Sequence, residues 1–284
     1  MEAIQLFAVE KDGLRPLPVP QNAASFDHLY DGLELGVYSA LRTFEHNKFL
    51  YLAQHIQRTR ESAALLGWAD ELDEALLRWG LHEACIQYPL LDARVRFDFL
   101  AAPPHHLGTS SRLLIALIPL TVPTPEMYKY GVQVGFAPDL VRTTPLAKTA
   151  DFAQARRAYQ VGGKIYEYLL LNEHNQILEG TGTNFYGVLD GVFYTAGCGV
   201  LAGVTRKIIL ELAEQLGIPV RLEPITVEQI PHLAEAALSS SSRALLPVVQ
   251  IGEQIVGNGR PGPICQRILA AYNDFVAQEI KTAI

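Results

Sequence analysis

The stretch from Ile177 to Leu216 constrains this chain more than any other part of it. Glu179-Gly180-Thr181-Gly182-Thr183-Asn184 puts one carboxylate beside a turn built of small residues. Phe185 to Val188 and Val192 to Thr195 then alternate around Leu189-Asp190-Gly191, and Asp-Gly between two alternating runs predicts a tight hairpin. Gly203-Val204-Thr205 leads directly into a helix whose stripe is Ile209, Leu212, Ala213 and Leu216, with Gly217 stopping it. Thr205 stands where an N-cap is expected, so the free N–H groups and positive dipole end of the helix make the turn before it a candidate anion site. An ordinary capped helix after a hairpin has the same local pattern, so the neighbouring residues must decide.

The rest of the chain sets the bounds. Its 284 residues suffice for one large or two medium domains, and 49% hydrophobic against 19% charged residues is a packed-core composition. A formal charge of −7, with no basic run longer than Arg156-Arg157, argues against a nucleic-acid or anionic-membrane partner. Cys85, Cys198 and Cys265 are scattered, as reduced structural cysteines are. No signal-peptide pattern opens the sequence and no apolar run would span a bilayer, so the expected location is the cytoplasm and no membrane partner is expected.

In chain order, residues 3–8 and 14–18 read as a strand pair turning at Asp12-Gly13. Gly36 to Phe44 alternates as a strand, and Phe49 to Leu52 reads as its return. Helices are expected over about Ala53–Leu66 and Glu71–Gln87. Arg94-Val95-Arg96-Phe97-Asp98-Phe99 alternates strictly, so Arg94, Arg96 and Asp98 share one face, lining a polar cleft or facing solvent. Leu113–Ile118 is a strand, and Pro119–Pro125 is the best linker. We therefore expect a small N-terminal domain over 1–119, a linker over 120–126 and a larger domain over 127–284. Gly131–Ala137 reads as a strand and Asp151–Leu171 as a helix, with Lys148 between the loop Arg142-Thr143-Thr144-Pro145 and that helix. Ser239-Ser240-Ser241-Ser242 is either a flexible turn or a second anion cup. Gly257–Pro263 leads into a C-terminal helix.

Several motifs are absent. Gly180-Thr-Gly182 lacks the third glycine of a dinucleotide fingerprint. No GxxxxGK[ST], HExxH or GxSxG occurs, and His105-His106 beside prolines reads as a surface pair, so no metal site is expected.

Taken together, Glu179-Gly180-Thr181-Gly182-Thr183-Asn184, Gly191 and Leu201-Ala202-Gly203-Val204-Thr205-Arg206 resemble the signature of the pyridoxal-phosphate-dependent class IV aminotransferases. Gln54-His55-Ile56-Gln57-Arg58 is similar to that family's helix with a phosphate-binding arginine, and Ser239 to Pro247 to its second phosphate turn. The resemblance implies a two-domain α/β fold (α+β in some schemes), with a small N-terminal α/β domain and a larger domain built on a barrel-like β core. It implies pyridoxal 5'-phosphate as cofactor between the domains, Lys148 as catalytic Schiff-base lysine, and Glu179 as partner of the pyridine nitrogen. Arg58, Val204, Thr205, Ser240 and Ser241 would hold the phosphate. Tyr38, Arg42, Arg94, Arg96 and Ser242 would meet the substrate.

The implied reaction moves an amino group between a small amino acid, branched-chain or neutral and of L configuration, and a 2-oxo acid such as 2-oxoglutarate. A homodimer or higher homo-oligomer is implied. Two alternatives stay open: a D-amino-acid or (R)-amine transaminase, Tyr38 resembling the pattern of the D-amino-acid enzymes, and an aminodeoxychorismate-type lyase. Gly182 is similar to the branched-chain and amine-transaminase pattern.

Overall fold

The computed structural model describes residues 3–21, 23–34, 36–68, 71–142, 144, 146–159 and 163–282. Two compact units emerge. One comprises Met1–Thr121, Ala147–Gln154 and Glu279–Ile284; the other comprises Val122–Leu146 and Ala155–Gln278.

The first unit is built on β1 (Gln5–Glu10), β2 (Gly13–Pro16), α1 (Phe26–Leu29), β3 (Val37–Arg42), α2 (Leu52–Leu65), α3 (Glu74–Ile86), β4 (Ala93–Phe99) and β5 (Leu113–Pro119). Its antiparallel sheet runs β2-β1-β5-β4-β3. Alternation splits β1 and β5 between two cores. Val9, Val95, Phe97, Ile115 and Leu117 pack with Ile56 of α2 and Leu77 and Leu81 of α3. Leu6, Ala8, Leu114 and Ala116 pack with Phe26, Leu29 and Tyr30. A sheet covered on both faces needs nearly continuous apolar strands, as Leu113–Ile118 supplies.

The second unit contains α4 (Pro125–Tyr130), β6 (Val132–Phe136), β7 (Ile165–Leu171), β8 (Gln176–Gly180), β9 (Asn184–Leu189) and β10 (Val192–Tyr194). α5 (Ala150–Ala155), between β6 and β7, lies in the first unit up to Gln154. Then come α6 (Val204–Gln215), β11 (Val220–Arg221), β12 (Ile225–Thr226), β13 (Glu235–Ser240), β14 (Ala244–Ile251), β15 (Gln254–Ile255) and α7 (Pro263–Thr282). Six strands in the order β9-β13-β14-β6-β7-β8 close on themselves, because β8 also pairs with β9 through Glu179 and Asn184. The barrel-like core and mixed α/β class expected from the sequence are therefore present. The β9–β10 hairpin turns at Asp190 and Gly191, both at positive φ, as the Asp-Gly pair predicts.

Three expectations need correction. The helix expected over Asp151–Leu171 is α5 followed by a 3₁₀ turn over Arg156–Tyr159, and Ile165–Leu171 is instead a barrel strand. Ile-Tyr-Glu-Tyr-Leu-Leu-Leu is rich in strand-forming side chains, and pairing on both edges overrode the helical reading. Residues 160–162 of that helix, and Thr143 and Pro145 of the loop before Lys148, lie outside the described residues. Phe49–Leu52 does not return as a strand: Phe44 bridges Lys48, Tyr51 takes a left-handed conformation, and Leu52 already opens α2. Helix α3 starts at Glu74 rather than Glu71, because the Asp73 carboxylate accepts the Leu76 N–H at 3.0 Å as its cap. Among the described residues, no helix is long and apolar enough to cross a membrane.

Candidate active site

In the first unit, Lys148 is fixed through its backbone. The Tyr38 N–H donates to the Lys148 carbonyl at 3.0 Å, Thr149 bridges Val37, and the Ala150 N–H donates to the Gly36 carbonyl at 3.0 Å. The Lys148 N–H in turn donates to Ser62 Oγ at 3.1 Å. These bonds stitch Lys148 to the open edge of β3 and to α2. Its half-buried ammonium lies 4.7 Å from the centroid of the Tyr38 ring, close enough for a cation–π contact.

Helix α2 turns an unusual face toward this edge. His55, Arg58, Thr59 and Ser62 follow helical spacing and are all buried, although every one is polar. Arg58 Nη2 donates to Ser39 Oγ at 2.7 Å, leaving the Ser39 hydroxyl hydrogen for His55 Nδ1 at 2.9 Å. Burial, then Arg58 and Lys148, push the His55 imidazole well below its ordinary pKa, so it is the neutral acceptor this chain of bonds requires. Ser39, His55 and Ser62 were missed as site residues. The available signal was polar side chains at the periodicity of a buried stripe.

The arginines expected to meet substrate fall in three settings. Arg42 donates to Asp92 Oδ2 at 3.1 Å and lies over the Phe44 ring. Arg94 is half-buried over Phe26. Arg96 is 2% exposed and forms a bidentate pair with Asp98, from Nε at 2.8 Å and Nη2 at 2.5 Å. Its guanidinium lies 4.2 Å from the Tyr30 ring and 4.0 Å from the Tyr38 ring. Burial disfavours that charge, but the Asp98 carboxylate outweighs it and holds the guanidinium protonated.

In the second unit, Glu179 leaves the end of β8 buried at 2% exposure. Arg142 Nε donates to Oε1 at 2.7 Å and the Leu201 N–H donates to Oε2 at 3.2 Å. Asn184 Nδ2 holds the Leu201 carbonyl at 3.0 Å, and its Oδ1 packs so tightly on Gly203 that a Cβ there would overlap it. Glu179, Asn184 and the start of α6 are therefore one connected piece. Gly203, not Thr205, is the N-cap, and Thr205 is a buried residue of the first turn. The first intrahelical bond runs from the Lys207 N–H to the Gly203 carbonyl, leaving the preceding N–H groups, Val204 and Thr205 included, outside the helical ladder. Arg142 and Asn184 were also missed as site residues.

The serine run straddles the β13–β14 turn. Ser239 Oγ pairs with the Tyr186 hydroxyl at 2.8 Å, and Ser240 Oγ accepts from Arg243 Nη1 at 3.3 Å. Ser241 and Ser242 are half-buried in the turn itself. Arg243 also donates from Nε to the Tyr166 hydroxyl at 2.8 Å, and its Nη2 lies 3.5 Å from Glu167 Oε2. Glu167 Oε1 accepts the Thr181 hydroxyl at 2.8 Å and the Gly182 N–H at 2.5 Å. One buried carboxylate thus ties the Gly/Thr turn to the serine turn.

A buried carboxylate joined to a helix N-terminus suits a group with a protonated ring nitrogen and a phosphate arm, and a half-buried lysine suits a carbonyl. The residues fit pyridoxal phosphate. Among the described residues, no cluster of three or more His, Cys, Asp or Glu could hold a metal ion.

Comparison with known proteins agrees. Residues 36–251 match the family model described as amino-transferase class IV. The D-alanine aminotransferase of Bacillus licheniformis is 26% identical over 263 residues, 86% of this chain and 88% of that protein. The D-alanine aminotransferase of Staphylococcus haemolyticus is 34% identical over 102 residues, 35% of this chain; this chain covers 36% of that relative's length. A solved branched-chain aminotransferase from the thermophilic archaeon Thermoproteus uzoniensis, with norvaline, superposes with a TM-score of 0.72 at 22% identity, over 96% of this chain and 94% of that one. That likeness shows the fold.

Proposed function

The chain belongs to the class IV aminotransferases, and we propose that it moves an amino group between a small neutral L-amino acid, branched-chain by preference, and a 2-oxo acid such as 2-oxoglutarate. Its cofactor is pyridoxal 5'-phosphate, which when bound supplies a carbonyl that condenses with amines and a ring that takes up electrons from the substrate carbon. Lys148 Nζ is the amine that holds the cofactor at rest and moves the proton at the substrate Cα once freed. Glu179 supplies the carboxylate for the ring nitrogen. The Val204 and Thr205 N–H groups, the Thr205 hydroxyl, Arg58, Ser240 and Ser241 take the phosphate. Tyr38, Arg42, Arg94 and Ser242 border the substrate. The working form is a homodimer or higher homo-oligomer.

The observation that carries this reading is Glu179, buried and held between Arg142 and the Leu201 N–H, two residues before the N-cap of α6. A buried carboxylate linked through Leu201 to the start of α6 can supply the counter-charge that a protonated ring nitrogen requires, which supports the reading.

The absorption spectrum of the purified protein tests the proposal. A visible band that bleaches with L-leucine and L-glutamate supports it. The likeness to D-alanine aminotransferases favours one second reading, a D-amino-acid enzyme on the same scaffold. Bleaching by D-alanine alone selects that reading. A protein that takes up no pyridoxal phosphate refutes both.

A further inference from the structure

Arg96, expected to meet the substrate, stands on the same face of β4 as Arg94 and Asp98, and the substrate group that a guanidinium would receive is a carboxylate. The structure leaves such a ligand no approach. Nε and Nη2 already make a bidentate pair with Asp98, and Nη1 lies 3.5 Å from Asp27 Oδ1. The guanidinium carbon also lies over the Tyr30 and Tyr38 rings, 4.2 Å and 4.0 Å from their centroids. Arg96 is 2% exposed and Asp98 0%.

Tyr38 has a second cationic neighbour, the Lys148 ammonium at 4.7 Å from its ring. Tyr38 is itself 4% exposed, and its N–H is bonded to the Lys148 carbonyl. The ring is therefore fixed at its backbone by the lysine segment and at its face by Arg96. Planarity matters here, because a guanidinium can stack on a ring while its edge pairs with a carboxylate, whereas an ammonium cannot do both.

We propose that Arg96, neutralised by Asp98, is a positioning residue that clamps the Tyr38 ring against Lys148 and does not receive the carboxylate of the substrate. The inference rests on Lys148 as the reacting amine. It deepens the proposed function, since a donor or acceptor with a second carboxylate gains nothing from Arg96. The Asp98 carboxylate occupies the place such a group would need.

The test is a cycle between Tyr38→Leu and the paired variant Arg96→Met/Asp98→Leu, which removes both charges while conserving apolar volume. Arg96→Lys serves as a second variant that keeps the charge but not the stack, and circular dichroism verifies folding of each. The paired variant should lower kcat about 10- to 100-fold for acidic and neutral 2-oxo acids alike, as a loosened catalytic geometry does. Its KM for 2-oxoglutarate relative to a neutral 2-oxo acid should change less than about threefold, well short of a lost carboxylate contact. Adding Tyr38→Leu to it should cost less than about twofold more, the non-additivity of residues acting as one unit.

A readout independent of turnover is the pH midpoint for acylation of Lys148 in the cofactor-free protein. It should shift equally in Tyr38→Leu and in the paired variant. An acid-selective rise in KM of about tenfold or more, the loss expected for one charge-assisted contact, would overturn the proposal. So would full additivity in the cycle, or an unmoved midpoint in the paired variant. A wild-type protein that takes up no pyridoxal phosphate defeats the functional reading instead, and the acylation midpoints still decide whether the clamp exists.

Discussion

Glu167→Gln is the most informative single substitution in the barrel. The wild-type carboxylate takes the Thr181 hydroxyl and the Gly182 N–H on one oxygen, and its other oxygen faces Arg243 Nη2 at 3.5 Å. An amide has the same shape but only one acceptor atom. If its oxygen stays with Thr181 and Gly182, its NH₂ confronts the guanidinium, donor against donor. If the amide flips, two donors from the Gly/Thr turn lose their acceptor. Both orientations also remove the counter-charge of Arg243.

Removing one partner of a fully buried ion pair costs about 3–5 kcal/mol. The Arg243 side chain is 24% exposed, so solvent recovers part of that cost and about 2–3 kcal/mol remains. For a unit of this size that corresponds to a fall in Tm of roughly 5–10 °C. Both tryptophans, Trp68 and Trp79, lie in the first unit, so fluorescence would miss the change. Differential scanning calorimetry of the cofactor-free protein is the suitable assay. Arg243→Met should cost far less in the Glu167→Gln background than in the wild type, with a coupling of about 1–3 kcal/mol. A Tm lowered by less than about 1 °C, or an additive cycle, refutes the idea that Glu167 joins the two turns.

Lys148→Ala should abolish transamination while leaving the far-ultraviolet circular dichroism unchanged, because the bonds that stitch the segment to β3 and α2 are made by backbone atoms; loss of the fold instead would contradict the backbone account. Gly203→Ala should destabilise by about 1–3 kcal/mol, since the new Cβ displaces Asn184 from the Leu201 carbonyl, and pyridoxal phosphate affinity should fall with it in equilibrium dialysis. His55 is neutral when folded but protonates near pH 6.5 when unfolded, so the unfolded chain binds more protons below that pH. Its share of stability is complete above about pH 6.5 and declines by about 1.4 kcal/mol per unit as pH falls toward its depressed native pKa. Denaturant titrations between about pH 5 and 7 should show that slope in the wild type and a flatter one in His55→Gln.

Much of the fold could be read from local chemistry. The Asp190-Gly191 turn, the β4 alternation and the helix after Gly203 each follow from residues within a few positions of one another. The errors share a different origin. Local propensity alone does not decide between helix and strand at Ile165–Leu171, where Ile and Tyr favour a strand and the leucines a helix; pairing with β6 and β8 decides it. Thr205 looked like a cap because threonine caps helices, yet Asn184, far back in the chain, leaves room only for a glycine at the true N-cap and braces the turn in its place. The α2 face was a missed opportunity. Polar residues at the spacing of a buried stripe cannot remain unpartnered inside a core, so they imply partners brought from elsewhere.

The same reasoning extends to the three carboxylate–arginine pairs, Asp98 with Arg96, Glu179 with Arg142 and Glu167 with Arg243. Each acid stands in a β-strand and is nearly inaccessible to water. An unpaired buried carboxylate costs several kcal/mol, so each of these acids requires a cation, and sequence periodicity can state that requirement without naming the partner. Apolar replacement of such pairs is often neutral for stability, so stability alone does not explain them. All three occur beside residues proposed to act: Asp98 behind Tyr38 and Lys148, Glu179 beside the start of α6, and Glu167 beneath both small-residue turns. Directional, charge-assisted bonds in the Asp98 and Glu179 pairs, and the ion pair together with the Thr181 and Gly182 bonds at Glu167, hold these groups in one orientation where apolar packing would tolerate several. If that is their role, replacing any pair with apolar residues of equal volume should spare Tm and lower kcat. Equal losses in both would reduce the pairs to packing.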